Sequence, residues 1–346
     1  MTRIARLAER LSRPLLVTRP ANIRYLTGMG DSSNAALLVE PDGEATFYTD
    51  FRYADAARAL QDVTFVQTQR YVIGALASLL AGREIGADPE HLPFARWEEL
   101  RAGGVTPVPA GGDVEALRAV KDASEVDAIR RAAAISDTVF AELATERFVG
   151  RTERELVWQL DRRFRELGAE RSSFDTMVGA GEMGARPHGE ARDEKIPAGT
   201  MVVVDGGCVV DGYCSDCTRT FLTGDEPRLR ELYDICLQAQ LDGLAAVRAG
   251  VTGRDADAAS RVAIAAAGLG ERFGHGLGHG VGLEIHEAPS LRPESTDTLV
   301  AGNIVTVEPG IYLDGDVGVR IEDLVLVTED GCERLTTVTK EPIVVG

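Results

Sequence analysis

The stretch Phe273–His286 constrains the fold more than any other part of this 346-residue chain. It contains five glycines, interleaved with three of the five histidines in the protein. Each glycine in a helix costs about 1 kcal/mol relative to alanine, so we expect a strand or an extended loop here. Three imidazoles in such a stretch suggest a metal site.

The length and the charge of the chain limit what it can be. A chain of 346 residues exceeds the usual size of a single hydrophobic core, so two domains are expected. The net charge of -18 opposes binding to nucleic acid or to anionic membranes. No apolar run approaches the roughly 20 residues of a membrane span, and the N-terminus lacks the apolar core of a secretory signal. Because the five cysteines form no disulfide-like pattern, we expect a cytoplasmic protein.

The order of predicted elements divides the chain. Up to about residue 117, short β-like runs alternate with helical ones, which is typical of an α/β domain. Glycines and prolines cluster between Gly103 and Gly112, so we place the domains at residues 1–117 and 118–346. In the second domain, two helical patterns precede a β-rich segment, and the same order then repeats. This repeat predicts an internal duplication whose halves build one site.

The first β-rich segment predicts a hairpin with two carboxylates on one face. Asp211-Gly212 is a strong signal for a two-residue turn, which would pair Asp205 with Thr218. Asp216 would then lie diagonal to Asp205 on the same face. A carboxylate that ends an apolar strand is badly placed unless its charge is compensated.

The second β-rich segment predicts a similar hairpin. A three-residue loop, Asp314–Asp316, would place Glu308 directly opposite Glu322. A two-residue turn would put the two glutamates on opposite faces. We choose the longer loop partly because metal binding needs both carboxylates together, so this register is a hypothesis. Like charges on facing strands are destabilising, and two such pairs in one domain call for a cation.

Five side chains could together hold two divalent ions bridged by carboxylates and a water molecule. An oxygen-rich, thiol-free set with one imidazole favours Mn²⁺, with Co²⁺ and Zn²⁺ as alternatives. A single strand carboxylate more often caps a turn or pairs with arginine, so the prediction depends on the joint pattern. The ligands would be Asp205, Asp216, His279, Glu308 and Glu322.

Other reactive side chains have simpler interpretations. Cys214 and Cys217 have the spacing of a redox or zinc pair, but no second pair exists, so we interpret them as incidental. His91 stands alone in the first domain, and we interpret it as structural or surface-exposed.

The sequences around the five ligand positions resemble those of the dinuclear metallopeptidases of the pita-bread fold. Among these, the chain resembles the Xaa-Pro peptidases, prolidase and aminopeptidase P. The resemblance covers essentially the whole chain. It implies an α+β architecture in which a smaller α/β creatinase-type domain precedes a pita-bread catalytic domain with internal duplication. The matching contexts are Val-Asp-Gly-Gly, Ser-Asp-Cys-Thr-Arg-Thr, Gly-His-Gly-Val-Gly, Val-Glu-Pro-Gly-Ile-Tyr and Val-Arg-Ile-Glu-Asp in the second domain, with Asn22–Gly28 and Thr49–Tyr53 in the first and Leu117–Lys121 at the join.

The resemblance also implies roles for residues beyond the ligands. His188 and His286 match the two active-site histidines that contact the scissile carbonyl and stabilise the tetrahedral intermediate. His275 matches a histidine that lines the substrate pocket. Thr218 and Arg320 match positions that orient ligating carboxylates.

The implied activity is metal-dependent hydrolysis of an Xaa-Pro bond by a hydroxide that bridges two metal ions. Glu308 would accept the proton of the water and pass it toward the proline nitrogen. The substrate would be a small peptide with proline at its second position. Resemblance also implies a homodimer.

The preferred peptide length is left open by the sequence. We favour an Xaa-Pro dipeptidase, with an Xaa-Pro aminopeptidase acting on longer peptides as the alternative. Some prolidases have an arginine four residues after the second histidine, where this chain has Ser290. Arg24, Arg52 or Arg292 could bind the proline carboxylate instead. A metal-free creatinase-like hydrolase or binding module is the non-peptidase alternative, and retention of all five ligands argues against it.

Overall fold

A computed structural model describes residues 1–187 and 189–346 of the chain. The chain forms two compact units, Met1–Arg118 and Ala119–Gly346. His188, predicted as a catalytic residue, lies outside the described residues. In the part that is described, no helix is long and apolar enough to cross a membrane.

The first unit is built on one six-stranded mixed sheet. Its strands are β1 (Leu15–Val17), β2 (Ala35–Val39), β3 (Ala45–Thr49), β4 (Thr64–Gln67), β5 (Glu84–Ala87) and β6 (Thr106–Pro109). Its helices are α1 (Arg3–Ala8), α2 (Pro20–Thr27), α3 (Ala54–Arg58), α4 (Val72–Leu79), α5 (Phe94–Ala102) and α6 (Asp113–Ala119). The strand order is β4-β3-β2-β1-β5-β6. Apolar strand residues pack with Leu76 of α4 and Leu100 of α5 in a core on one face of the sheet.

Long helices in the second unit come in two successive pairs. The pairs are α7 (Ala123–Leu143) with α8 (Glu153–Glu166), and α9 (Pro227–Ala246) with α10 (Gly253–Ala266). Thr152 caps α8 and Thr252 caps α10, each by accepting a hydrogen bond from the third helical residue. Both of these helices contain 14 residues. The duplicated helical pattern predicted from the sequence is therefore present, with equivalent residues 100 positions apart.

The strands of the second unit follow each pair of helices. The first group is β7 (Arg171–Ser172), β8 (Met177–Ala180), β9 (Met201–Asp205), β10 (Cys208–Val210), β11 (Tyr213–Cys214) and β12 (Thr218–Leu222). The second group is β13 (Gly278–Gly280), β14 (Glu287–Leu291), β15 (Ile304–Val307), β16 (Gly310–Tyr312), β17 (Gly318–Arg320), β18 (Asp323–Val327) and β19 (Cys332–Arg334). In one three-stranded sheet, β9 lies between β8 and β12, and in the five-stranded sheet, β15 lies between β13 and β18.

Both predicted hairpin registers are confirmed. Val210 pairs with Tyr213 across the Asp211-Gly212 turn, and Asp205 pairs with Thr218. In the second hairpin, the Leu313 amide donates to the Val317 carbonyl, as the three-residue loop requires. Val307 pairs with Asp323 and Gly310 with Arg320, so Glu308 lies opposite Glu322.

Candidate metal centre

The predicted carboxylates lie where the strands of the two hairpins end. Asp205 is the last residue of β9, and Asp216 precedes β12. Glu322 lies between β17 and β18. One carboxylate oxygen from each of these three residues lies within 4.8 Å of the others. Residues more than 100 positions apart in the chain therefore form one acidic cluster.

His279 brings its imidazole to the same cluster. Its Nε2 atom lies 3.2 Å from Oε1 of Glu308 and 3.8 Å from Oδ2 of Asp216. Its Nδ1 atom lies 3.1 Å from the Gly280 carbonyl, which directs Nε2 toward the carboxylates. The five residues predicted as ligands therefore lie together in the structure.

The glycine-rich stretch is a strand flanked by loops and bends, and contains no helix, as predicted; its strand β13 lies between two neighbouring strands. A Cβ atom at Gly278 would stand only 2.0 Å from the Thr306 carbonyl oxygen. Glycine is thus needed for the strand that carries His279 to approach β15.

Electrostatics in the cluster disfavour three of the carboxylates in their charged form. Burial raises the pKa of Asp216 well above its usual range, and the charges of Glu322 and Asp205 raise it further. Burial also raises the pKa of Glu322, with Glu308 and Asp205 adding to the effect. The pKa of Asp205 is raised by burial too, although Arg320 opposes the shift.

Glu308 behaves differently from the other three carboxylates. Burial alone would raise its pKa, but the hydrogen bond and the charge of His279 outweigh it and hold the pKa at about 2. Burial would lower the pKa of His279, but Glu308 outweighs burial and raises it. Each of the two groups therefore favours the charged form of the other, across a distance of 3.2 Å.

Two buried oxygen atoms in the cluster mark it as a cation site. Among the described residues, neither Oδ1 of Asp205 nor Oε1 of Glu322 has a hydrogen-bond partner. A buried carboxylate oxygen without a partner is costly, and a divalent metal ion would compensate both the charge and the missing contact. The oxygen-rich donor set is the chemistry that Mn²⁺ and similar ions prefer.

The cysteines add no ligands to this set. Burial raises the pKa of the Cys214 thiol to about 11, and it raises that of Cys217 well above its usual range. No cysteine belongs to the group of possible metal ligands found among the described residues. This is consistent with their interpretation as incidental.

A chain of hydrogen bonds connects the carboxylates of Asp205 and Glu322. Arg320 donates to Oδ2 of Asp205 at 2.6 Å and to Thr218 at 3.0 Å. Thr218 donates in turn to Oε2 of Glu322 at 2.8 Å. The contacts to Asp205 and Glu322 fix the orientation of two carboxylates of the cluster. The resemblance predicts that Thr218 and Arg320 orient metal ligands in this way.

Two residues of the site were not predicted from the sequence. The Tyr312 hydroxyl lies 3.0 Å from an Arg320 nitrogen and 2.8 Å from Nε2 of His275, so it joins the predicted pocket histidine to the arginine. The Thr306 hydroxyl donates to Glu308 at 3.1 Å. Tyr312 ends the sequence Val-Glu-Pro-Gly-Ile-Tyr, so its position after a predicted ligand was the available signal.

The remaining histidines occupy different environments. The His286 ring contacts the His279 ring edge-on, with the two centroids 4.3 Å apart. His286 therefore lies beside the acidic cluster. In the first unit, Nδ1 of His91 lies 2.8 Å from Oδ2 of Asp88, which fits the structural interpretation.

Comparison with known proteins identifies the family. The model of metallopeptidase family M24 matches residues 127–329, and that of the creatinase/prolidase N-terminal domain matches residues 3–120. An Xaa-Pro dipeptidase from Bacillus anthracis is 37% identical, with 99% of each chain covered and a TM-score of 0.94. An X-Pro aminopeptidase from Thermotoga maritima is 33% identical, with 98% of this chain and 99% of that chain covered and a TM-score of 0.88. The Xaa-Pro dipeptidase of Pyrococcus furiosus is 33% identical over 94% of each sequence.

These matches confirm the predicted family and the predicted fold class. The family implies divalent metal ions, and the buried carboxylates described above fit them. The chain therefore belongs to metallopeptidase family M24 and is a metal-dependent peptidase with a creatinase/prolidase-type N-terminal domain.

Proposed function

We propose that this chain hydrolyses the Xaa-Pro bond of small peptides and acts as an Xaa-Pro dipeptidase. One observation carries the proposal. A partly buried group of four carboxylates and one imidazole contains two carboxylate oxygens that lack partners in the described residues. It occurs in a chain that is 37% identical to an Xaa-Pro dipeptidase over 99% of its length.

The proposed cofactors are two divalent metal ions. Bound ions would lower the pKa of a water molecule so that it could attack near neutral pH, and they would polarise the substrate carbonyl. Because oxygen ligands dominate, we propose Mn²⁺, with Co²⁺ and Zn²⁺ as alternatives. Metal analysis of the purified protein would identify the ion, and its absence would favour the metal-free creatinase-like alternative. The ligands would be Asp205, Asp216, His279, Glu308 and Glu322.

The side chains of the site have separate parts in this proposal. Glu308 would accept the proton of the attacking water and pass it to the proline nitrogen. His286 would donate a hydrogen bond to the oxygen anion that develops on the carbonyl. We propose the same role for His188 from the family resemblance.

Selection of proline would follow from its chemistry. Its nitrogen belongs to a tertiary amide and its ring is rigid, so a shaped apolar slot can select it. A dipeptidase must also bind the proline carboxylate with a cation. Ser290 cannot serve, because it is uncharged and its hydroxyl is hydrogen-bonded to Asp297 and Ser295. Arg24, Arg52 and Arg292 remain the candidates.

The absence of a cation at position 290 is also the observation that favours the aminopeptidase alternative, since an aminopeptidase has no proline carboxylate to neutralise. The deciding experiment uses the full chain reconstituted with Mn²⁺. A dipeptidase should show a higher kcat/KM for a dipeptide ending in proline than for the same dipeptide extended by one residue. The reverse order would replace the dipeptidase with the aminopeptidase. We further propose a homodimer. Size-exclusion chromatography with light scattering would measure the molar mass of the protein in solution.

A further inference from the structure

A buried ion pair in the second unit lies outside the proposed ligand set. Nζ of Lys121 lies 3.2 Å from Oε2 of Glu287, and the two side chains are 1% and 6% exposed. A buried ion pair contributes little net stability compared with an apolar pair of similar volume, because both charges lose their hydration. We therefore explain the Lys121–Glu287 pair by the backbone segments that it holds together.

Lys121 is held in position by the chain on both sides of it. Its amide donates to the Gly302 carbonyl at 2.9 Å. The next residue, Asp122, begins α7 with a capping box in which Asp122 and Glu125 exchange hydrogen bonds with each other's backbone amides. The lysine side chain therefore extends from a backbone that is fixed at the start of a 21-residue helix.

The two carboxylate oxygens of Glu287 face different partners, and one of them closes a turn. Oε1 accepts a hydrogen bond from the Glu284 amide at 3.0 Å, while Oε2 faces Lys121. The carboxylate also lies close to Gly282, where a Cβ atom would stand 2.6 Å from Oε2. The Gly282 carbonyl accepts from the Cys214 amide at 2.8 Å, which ties the same segment to β11.

His286 lies inside the turn that Glu287 closes. Its ring meets the His279 ring at an interplanar angle of 72°. Because His286 is itself part of residues 284–287, a change in the backbone path of this segment would move the ring away from the acidic cluster. The segment before the turn is rich in glycine and has little stiffness of its own. The Glu287 side chain is one of the contacts that fix the path of this segment.

We propose that the Lys121–Glu287 ion pair positions His286 for catalysis. This inference rests on the proposed function, in which His286 donates a hydrogen bond to the developing oxyanion. Lys121 and Glu287 are positioning residues, because they act through the turn and not on the substrate.

A double-mutant cycle tests the proposal on the full, Mn²⁺-loaded chain with an Xaa-Pro dipeptide. Lys121→Met should lower kcat by about tenfold or more, since displacement of a catalytic group by about 1 Å can cost up to 10²-fold, while KM changes little. In a His286→Ala background, the same substitution should change kcat by less than about twofold. If the two losses multiply, or if Lys121→Met leaves kcat unchanged, the inference is overturned.

Two further variants separate positioning from stability. Lys121→Met alone leaves a buried carboxylate without its cation and should lower the melting temperature. Adding Glu287→Gln should restore most of the melting temperature while kcat stays low. Recovery of kcat together with stability would show that the pair is only structural. Lys121→Arg, which keeps the charge, should regain part of kcat.

A matched control comes from an ion pair on α7 and α8. Within the described part of the chain, Arg163 lies 2.8 Å from Glu142 and also bonds to Glu166, and neither partner belongs to the proposed site. Arg163→Met should leave kcat unchanged. The His286→Ala variant separates the proposed catalytic role of His286 from the proposed positioning role of the Lys121–Glu287 pair. If it keeps full kcat, the proposed role of His286 is wrong and the inference falls with it; if it loses kcat while Lys121→Met does not, only the inference is wrong.

Discussion

Glu322 and Asp323 are consecutive and both are buried, yet they belong to opposite electrostatic environments. Oε2 of Glu322 accepts from Thr218, and its Oε1 has no partner among the described residues. Burial and the neighbouring carboxylates raise its pKa well above the usual range. Glu322 therefore lies on the side where positive charge is missing.

Asp323 is surrounded by positive charge. Arg219 donates to its Oδ1 at 2.8 Å, and Lys340 donates to its Oδ2 at 2.9 Å. Burial alone would raise the pKa of Asp323, but Arg219 and Lys340 outweigh burial and lower it. The comparison shows that burial alone does not distinguish a proposed metal ligand, Glu322, from a structural carboxylate, Asp323. The charge of the hydrogen-bonding partners distinguishes them, since Glu322 bonds to a hydroxyl and Asp323 to two cations.

The largest expected effect is on the side that lacks positive charge. Asp216→Asn or His279→Ala should abolish metal-dependent hydrolysis. This loss of activity is greater than the roughly 10–100-fold loss that is typical when a residue hydrogen-bonded to a metal ligand is replaced. The secondary structure should persist. Metal content, kcat/KM and circular dichroism would be measured together.

Asp211→Asn is the matched control, since this aspartate lies in the exposed turn of the same hairpin, where asparagine is also favoured. It should retain both metal and activity. Full activity of Asp216→Asn or His279→Ala in metal-stripped buffer would contradict the dinuclear site.

Glu308→Gln separates proton transfer from metal binding. The amide oxygen can still approach a cation but cannot accept a proton, so kcat should fall by roughly 10²–10⁴-fold while part of the metal is retained. Single-turnover rates and metal content would be compared with those of Glu322→Gln, which should lose mainly metal. An unchanged kcat in Glu308→Gln would remove its acid/base role.

On the compensated side, Asp323→Asn should reduce stability. The substitution leaves the Arg219 guanidinium buried without its carboxylate, and breaking such a pair costs about 3–5 kcal/mol. Because carbonyl groups of Val338 and Thr339 still accept from Arg219, we expect the lower end of this range. Urea unfolding would measure it, with the exposed loop variant Asp314→Asn as the control. Equal midpoints would show that the network is dispensable.

The pH dependence of unfolding should have a definite sign for Asp323. A carboxyl group with a lowered folded pKa contributes stability above its unfolded pKa of about 4 and loses it as pH falls through the folded value. The free energy of unfolding of the parent chain should therefore fall more steeply below pH ~4 than that of Asp323→Asn. Parallel curves for the two proteins would assign the acid sensitivity to other carboxylates.

Local sequence signals were enough to predict the hairpins. The Asp211-Gly212 turn and the alternation of apolar residues specified the register that pairs Asp205 with Thr218. The pairing of Glu308 with Glu322 depended on a loop chosen on chemical grounds, and the structure confirms it. The family was predictable for the same reason, since its motifs are short and contiguous.

Contacts between distant segments were not predictable. Thr306 and Tyr312 were missed because each also has a distant partner, which it meets only in the folded chain. The Thr306 hydroxyl accepts from the His279 amide, and the Tyr312 hydroxyl contacts His275. The Arg219–Asp323 pair joins residues 104 positions apart, and the sequence around each residue does not predict the contact. The Lys121–Glu287 pair spans 166 positions and escaped prediction for the same reason.

By itself, the sequence determined the hairpins that carry the carboxylates, the extended glycine-rich strand that carries His279, and the family to which the chain belongs. These features depend on residues close together in the chain. Only the tertiary structure decided which buried carboxylates lack positive charge and which are compensated. That distinction is a sum of Coulomb interactions and desolvation over a few ångströms, and the groups involved become neighbours only when the chain has folded.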